Sequence, residues 1–342
     1  MPELQTSLAS FISSMPKVEL HLHLEGAVRP QTLLELSQDK PELRQKVEEW
    51  IALRQAEGFR YRDFRDFLSA FKLVALLIET PEDYALATTR LIEWLAEQHV
   101  LYAEITFAAG VVLWKKQPLE PIFEAIATAA AEAEALTGVR VRWIFDATRH
   151  FGTEHSREVM RWAARYRSQG VVAFGIGGDE ARGPARLFPE IFREARELGL
   201  HGVAHAGEAC GPDSIRDAVE LLGAERIGHG LTAIHDPGVM ALLREKKIPV
   251  EVCPGSNVST GLIACFEDHP LPTLLREGLV VTLNSDDPAM FGTSLEKEFL
   301  DAARCFGLGR DVLGALYRNA VRSSFLTQPE KRELEERWNA DH

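Results

Sequence analysis

The chain has 342 residues and a formal charge of −13, from 38 Lys plus Arg against 51 Asp plus Glu, a balance that argues against nucleic acid or an anionic membrane as partner. Its 46% hydrophobic and 26% charged residues exclude wholesale disorder and low complexity. No apolar run nears the ~20 residues that span a bilayer, the N-terminus does not read as a secretory signal, and Cys210, Cys253, Cys265 and Cys305, with no CxxC pair, form neither a disulfide scaffold nor a zinc ribbon; a cytoplasmic chain is expected.

Short β-branched runs alternate with longer helical patterns. Strands are predicted at 18–24, 101–107, 139–146, 171–177, 200–206, 226–231, 249–253 and 279–285. Several are almost continuously apolar, as strands buried on both faces are. Residues 28–80 interrupt the repeat after the first strand and read as several helices. Residues 81–98 follow Thr80, an N-cap candidate, with apolar residues at helical spacing. Residues 119–138 place Pro in the first turn and Gly at the end. Helices are also predicted at 183–199, 213–223 and 236–247, and helical structure continues over 291–341. Eight strands alternating with helices predict an α/β fold, a (β/α)8 TIM barrel, in one domain over 1–342. No GxGxxG follows a first strand, which disfavours an open dinucleotide-binding sheet. An insertion after a barrel strand lands on the face that carries active sites, so 28–80 is read as a helical cover and 291–341 as helices outside or beneath the barrel.

The chemistry collects at the strands' C-terminal ends. His21 and His23 in HLHLEG share one face of a strand. HAGE, His205 to Glu208, closes the fifth strand; His229 in RIGHG closes the sixth; Asp286 and Asp287 in NSDDP follow the eighth. Each alone has a bland reading, as a buried imidazole with a backbone partner or an Asp in a turn. Together they fall where barrel active sites lie. Three imidazoles and a carboxylate suit zinc, and a catalytic site leaves one position open for water. Glu208 is then placed to act as an acid, with His229 as a further imidazole. The fourth strand ends FGIGGDE with no Lys, which favours a mononuclear site over a bridged pair of metals.

HLHLEGA, GGDE, HAGEA, RIGHG, VCPGSN and LNSDDP, in this order, resemble the adenosine deaminase family of amidohydrolase barrels over about residues 16–325. The resemblance implies one zinc per chain on His21, His23, His205 and Asp286. It implies that Glu208 protonates purine N1, that His229 orients and deprotonates the attacking water, that Asp287 contacts that water and purine N7, and that Gly178 offers its N–H to purine N3. The implied reaction is hydrolytic deamination of a small-molecule 6-aminopurine nucleoside to the 6-oxo product and ammonia; another mononuclear amidohydrolase or an adenine deaminase is the alternative.

Departures from the family pattern surround this machinery. Glu25 stands where nucleoside-specific members carry an Asp on the ribose 5′-hydroxyl, and Gly175 where many have Asp. Thr106, Ala109 and Gly110 replace an Arg, a Pro and a His. Gly228 stands where adenine-specific members tend to carry Asp. The pattern looks like the branch acting on 6-amino-6-deoxyfutalosine, an adenosine with a 5′ carboxyphenyl extension that serves menaquinone synthesis. Such an anion calls for a cation, and Arg182 or Arg29 is expected to supply it. Cys253 is read as a buried structural residue. The oligomeric state is not legible in the sequence.

Overall fold

The computed structural model describes the backbone of residues 2–341 and the side chains of residues 8–338. Eight strands, β1 (Lys17–His23), β2 (Val100–Phe107), β3 (Arg140–Thr148), β4 (Val171–Gly177), β5 (His201–Ala206), β6 (Arg226–His229), β7 (Val250–Val252) and β8 (Val281–Leu283), pair in that order, each parallel to the next. The fold is the expected (β/α)8 TIM barrel.

The seam between β8 and β1 is stitched largely by side chains. Two backbone bonds close it, from His23 N to Asp286 O (2.9 Å) and from Asp286 N to His21 O (3.1 Å). Asn284 Oδ1 accepts from Leu20 N (2.9 Å) and His21 N (3.2 Å), and Glu19 Oε1 accepts from Ser285 N (2.8 Å). Asn284 and Glu19 are buried, so these polar groups satisfy the strand donors that a shorter β8 leaves open.

The helix at Pro81–Glu97 begins as the sequence reads: Thr80 accepts from Asp83 N, Asp83 accepts from the Thr80 N–H, and Pro81 occupies the first turn. The helix predicted over 183–199 divides into a 3₁₀ turn at Ala185–Leu187 and a helix at Pro189–Glu197, because the proline disfavours helical backbone at the residue before it. That predicted over 213–223 is a helix at Pro212–Asp217 that loosens into a π turn at Ala218–Leu222. A further helix, Thr153–Arg165, buries Ser156, Val159, Met160 and Ala163 and lies against β3 and β4; its polar composition hides that narrow stripe from a sequence reading.

The insertion after β1 holds helices at Pro30–Leu36, Pro41–Ala56 and Phe64–Leu77. Asp63 caps the last of these by accepting from Asp66 N. Phe64, Phe67, Leu68, Phe71, Lys72, Ala75 and Leu76 face the barrel mouth, at the 3–4 residue spacing of one helix face. At the other end of the chain, helices Leu295–Phe306 and Arg310–Ser323 pack outside the barrel, the second against β1 and β8, and Asn319 Nδ2 donates to Val281 O (2.9 Å).

Candidate active site

The strand ends and the cover helix enclose a cavity of about 320 Å³, within the size range of small-molecule sites. Its floor carries His23, His205, Glu208, His229, Asp286 and Asp287, and its upper wall is aromatic, with Phe64, Phe67, Phe71, Trp114 and Phe151.

The imidazoles converge on Asp286. Its Oδ1 lies 3.3 Å from His23 Nε2 and 3.4 Å from His21 Nε2, and His23 Nε2 lies 3.3 Å from His205 Nε2. Donor atoms of His21, His205, His229 and Asp286 all fall within 4.8 Å of one another, as do those of His23, Asp286 and Asp287. Metal ligands need a lone pair on the nitrogen that faces the ion, and the partner of the other ring nitrogen decides where that lone pair lies. His21 Nδ1 meets the acceptor Glu251 Oε2 at 2.9 Å and His205 Nδ1 the carbonyl of Ile176 at 3.2 Å. Both therefore carry their proton on Nδ1 and point a free Nε2 at the cluster. His21 Nε2 is buried without a hydrogen-bond partner. Burial opposes charge on His21, but Asp286 and Glu251 outweigh it and push its pKa up to about 10; the position favours a cation. An inward-facing nitrogen without a hydrogen-bond partner beside a buried carboxylate fits a metal ion, which would take the place of the second proton that His21 otherwise carries.

Backbone strain marks the same place. His229 (φ 62°), at the end of β6, and Asp286 (φ 64°), just past β8, are left-handed non-glycine residues, a costly conformation that the surrounding structure must enforce. Asp286 Oδ2 accepts from Ser256 Oγ at 2.6 Å. Gly228 has no room for a side chain: a Cβ there would sit 2.6 Å from His21 Cε1. Gly178 (φ +86°) turns the chain into the GGDE loop and lines the cavity.

Glu208 is 5% exposed. Burial, then the negative charges of Asp286 and Glu180, hold its carboxyl well above the ordinary range, as a carboxylic acid that keeps its proton requires. Its position is set by Glu180, whose carboxylate accepts from Gly207 N (3.0 Å), Glu208 N (2.9 Å) and Ala209 N (2.9 Å). Burial likewise raises the pKa of Asp287, with Asp286 adding to it, and its Oδ1 is buried without a hydrogen-bond partner.

Behind the cluster runs a buried chain of charge. Glu251 also pairs with Arg226 (Oε1–Nε 2.5 Å), which pairs with Glu104 (2.6 Å); Tyr102 donates to Glu104 at 2.9 Å. Sequence reasoning missed Glu251, Arg226, Glu104 and Glu180, although Glu180 stands inside GGDE and the others are lone charges in strands read as apolar. It also missed Asp146 on β3, a buried carboxylate that lines the cavity with Oδ1 unpartnered.

The expected sugar-end residues sit elsewhere. Glu25 is buried and accepts from Ala108 N (3.2 Å), and Ala108 faces the cavity in its stead. Arg182 is exposed, its main chain bonded to Asp179 Oδ1, and does not line the cavity. Arg29 stacks over Trp94 at 5.4 Å and lies 3.8 Å from Glu97. Lys72 and Lys115 are the lysines on the cavity wall. Lys115 is committed to the carbonyls of Ala75 and Ile78. Lys72 stands 6.0 Å over the ring of Trp114, itself stacked on Phe151 (5.5 Å, 11°). Cys253 is buried, as expected.

Known proteins are similar to this chain in sequence and in fold. The adenosine deaminase family model matches residues 16–340. The aminodeoxyfutalosine deaminase of Streptomyces avermitilis is 40% identical, over 93% of this chain and 89% of its own. The adenine deaminase of Mesorhizobium japonicum is 34% identical, over 94% of this chain and 98% of its own. An amidohydrolase from Burkholderia ambifaria, crystallised with bound zinc, superposes with a TM-score of 0.85 at 25% identity, covering 97% of this chain and 92% of its own. The family-model match over nearly the whole chain, together with these relatives, shows that the chain belongs to the adenosine deaminase family and is a hydrolytic deaminase of aminopurines.

Proposed function

We propose that this enzyme deaminates a 6-aminopurine nucleoside whose 5′ end carries an anionic aryl group, of the aminodeoxyfutalosine kind, and so serves menaquinone synthesis. The observation that carries this reading is the aromatic upper wall with Lys72 over Trp114. An aryl group gains by stacking on Trp114 and Phe151, and a carboxylate by meeting a cation that has no carboxylate partner among the described residues. Lys72 thus takes the part expected of Arg182 and Arg29. A free base has nothing to place there. The tight packing of Gly228 on His21 also speaks against the adenine-specific pattern, which tends to carry Asp at this position.

The residues that would hold one zinc ion are His21, His23, His205 and Asp286. When bound, the ion lowers the pKa of a water toward neutrality and so supplies the nucleophile. Glu208 delivers its proton to purine N1, so that negative charge does not build on the ring as the carbon bearing the amino group is attacked. Asp287 faces purine N7, the Gly178 N–H faces N3, and His229 orients the attacking oxygen. The tetrahedral carbon then collapses to the carbonyl, its hydroxyl proton passing to the amino group, which leaves as ammonia, while the water's other proton replaces the one Glu208 gave. These groups act in the transition state rather than in binding alone.

Removing the metal by chelation is expected to abolish turnover while the far-UV circular dichroism of the barrel persists. Metal analysis before treatment should find about one zinc per chain. Full activity in verified metal-free protein would exclude this chemistry. For the substrate, kcat/KM should be higher for a 5′-carboxyphenyl-extended adenosine than for adenosine, with adenine poorest. Lys72→Met should cut that preference about tenfold, the lower end of a charge-assisted hydrogen bond's ~1.5–3 kcal/mol, and spare adenosine. A wild-type preference for adenine or for plain adenosine rejects the extended substrate; a preference that survives Lys72→Met and is lost in Arg182→Ala returns the role to Arg182.

A further inference from the structure

The VCPGSN motif contributes Asn257, to which the family resemblance gave no task. Asn257 is buried between two imidazoles, those of His229 and His269. Its Nδ2 lies 3.3 Å from His229 Nδ1, and its Oδ1 lies 3.2 Å from His269 Nε2. The far end of the chain is fixed by the backbone, because Leu271 N–H donates to His269 Nδ1 at 3.1 Å.

This anchor determines every proton in the series. A backbone N–H can only donate, so His269 Nδ1 carries a lone pair and His269 Nε2 carries the proton. That N–H requires an acceptor, so the Asn257 oxygen faces it and the Asn257 NH₂ faces His229. A donor facing His229 Nδ1 leaves that nitrogen as the acceptor. His229 is therefore the Nε2–H tautomer. Nε2 points into the cavity, 3.6 Å from Glu208 Oε1 and 4.0 Å from Asp286 Oδ2. His269 and His229 are each buried, and burial pushes both down to about 3, in keeping with two neutral rings.

We infer that Leu271, His269 and Asn257 form a relay that locks His229 as a hydrogen-bond donor toward the reacting oxygen, not as the group that takes that oxygen's proton. Asn257 and His269 are positioning residues, and His229 is the group that touches the reactants. The relay revises the role that resemblance gave His229. It also separates His229 from the metal-binding imidazoles. His21 and His205 are tied at Nδ1 to acceptors and offer lone pairs at Nε2; His229 is tied at Nδ1 to a donor and offers a proton. Of the histidines near Asp286, His229 is thereby excluded from the ligand set, although its Nε2 is close enough to join it. A donor fixed in advance and aimed at an oxygen on which charge develops is an effective catalytic device, since it costs no reorganisation during the reaction.

Histidine ¹⁵N–¹H long-range correlation spectra of the metal-loaded enzyme read the tautomer directly, independently of which purine is turned over. The expected result is a protonated Nε2 and a bare Nδ1 on His229. A bare Nε2 overturns the inference. Asn257→Asp replaces the donor by an acceptor and should turn His229 to the Nδ1–H form in the same spectra. With metal content unchanged, kcat should then fall at least tenfold while KM holds; a wrong tautomer costs as much as ~10⁴-fold in the serine protease triad. An inverted tautomer with kcat within threefold of wild type would equally overturn it. If Asn257→Asp does not fold, the wild-type spectrum alone decides.

Discussion

Glu208→Gln is expected to bind metal and substrate almost normally and to lose kcat by about 10²–10⁴-fold, the usual contribution of a general acid–base group, or roughly 3–5 kcal/mol of barrier. Gln matches Glu in shape, and the backbone bonds from Glu180 to residues 207–209 do not involve the Glu208 side chain, so the loop stays in place. What is lost is a carboxyl that burial and the neighbouring Asp286 and Glu180 charges keep protonated. Steady-state kinetics with metal analysis on the same sample test this. A kcat within threefold of wild type removes Glu208 from the role of acid, whereas a raised KM at constant kcat would make it a binding group.

Arg226→Met is expected to destabilise the fold by about 3–5 kcal/mol, the cost of stranding a buried charge. Arg226 is 1% exposed and stands between Glu104 and Glu251, which are 0% and 3% exposed. Its guanidinium also donates to Ser323 O (3.0 Å) and packs 4.0 Å from the ring of Phe325. Methionine replaces the stacking but not the charge. Glu251, freed of its cation, then also holds His21 Nδ1 less firmly, and partners of metal ligands typically influence affinity 10–100-fold. Denaturant unfolding measures the first effect and competition with a chelator the second. A stability change under about 1 kcal/mol would show that the carboxylates take up protons or water at no serious cost. A double change, Arg226→Met with Glu104→Gln, should recover part of the loss, because one stranded carboxylate is then removed.

The barrel was legible because its strands are apolar on both faces and its helices carry local signals such as Thr80, Pro81 and Gly138. The floor of the site was legible for a related reason: histidines and carboxylates at the ends of such strands have little else to do. What stayed hidden depends on partners far away in the chain. Glu25 turns from the cavity because it meets the Ala108 N–H, 83 residues on. Lys72 reads as one solvated charge among many until the cover helix docks and aims it across Trp114. Arg226 and Glu251 look like faults in apolar strands until they are seen to neutralise each other. Asn257 required more still, since its orientation follows from a backbone N–H at Leu271, by way of a second histidine.

The seam between β1 and β8 gives the molecule an order of assembly. Leu20 and Asn284, which meet there, are 264 residues apart, and the seam also joins His21 to Asp286. During synthesis the first strand leaves the ribosome with two of its imidazoles already in place and waits for almost the whole of the remaining chain before an aspartate arrives to face them. No shorter product, whether a paused nascent chain or one clipped before β8, contains the assembled centre, and so none of them can consume substrate prematurely. Once closed, the seam responds to occupancy. Any ligand that binds across it and not to the opened chain stabilises the closed form by about 4 kcal/mol when present at a thousand times its Kd. The centre thus sits as a clasp on the barrel's last gap, so that whatever fills it also ties the first strand to the last.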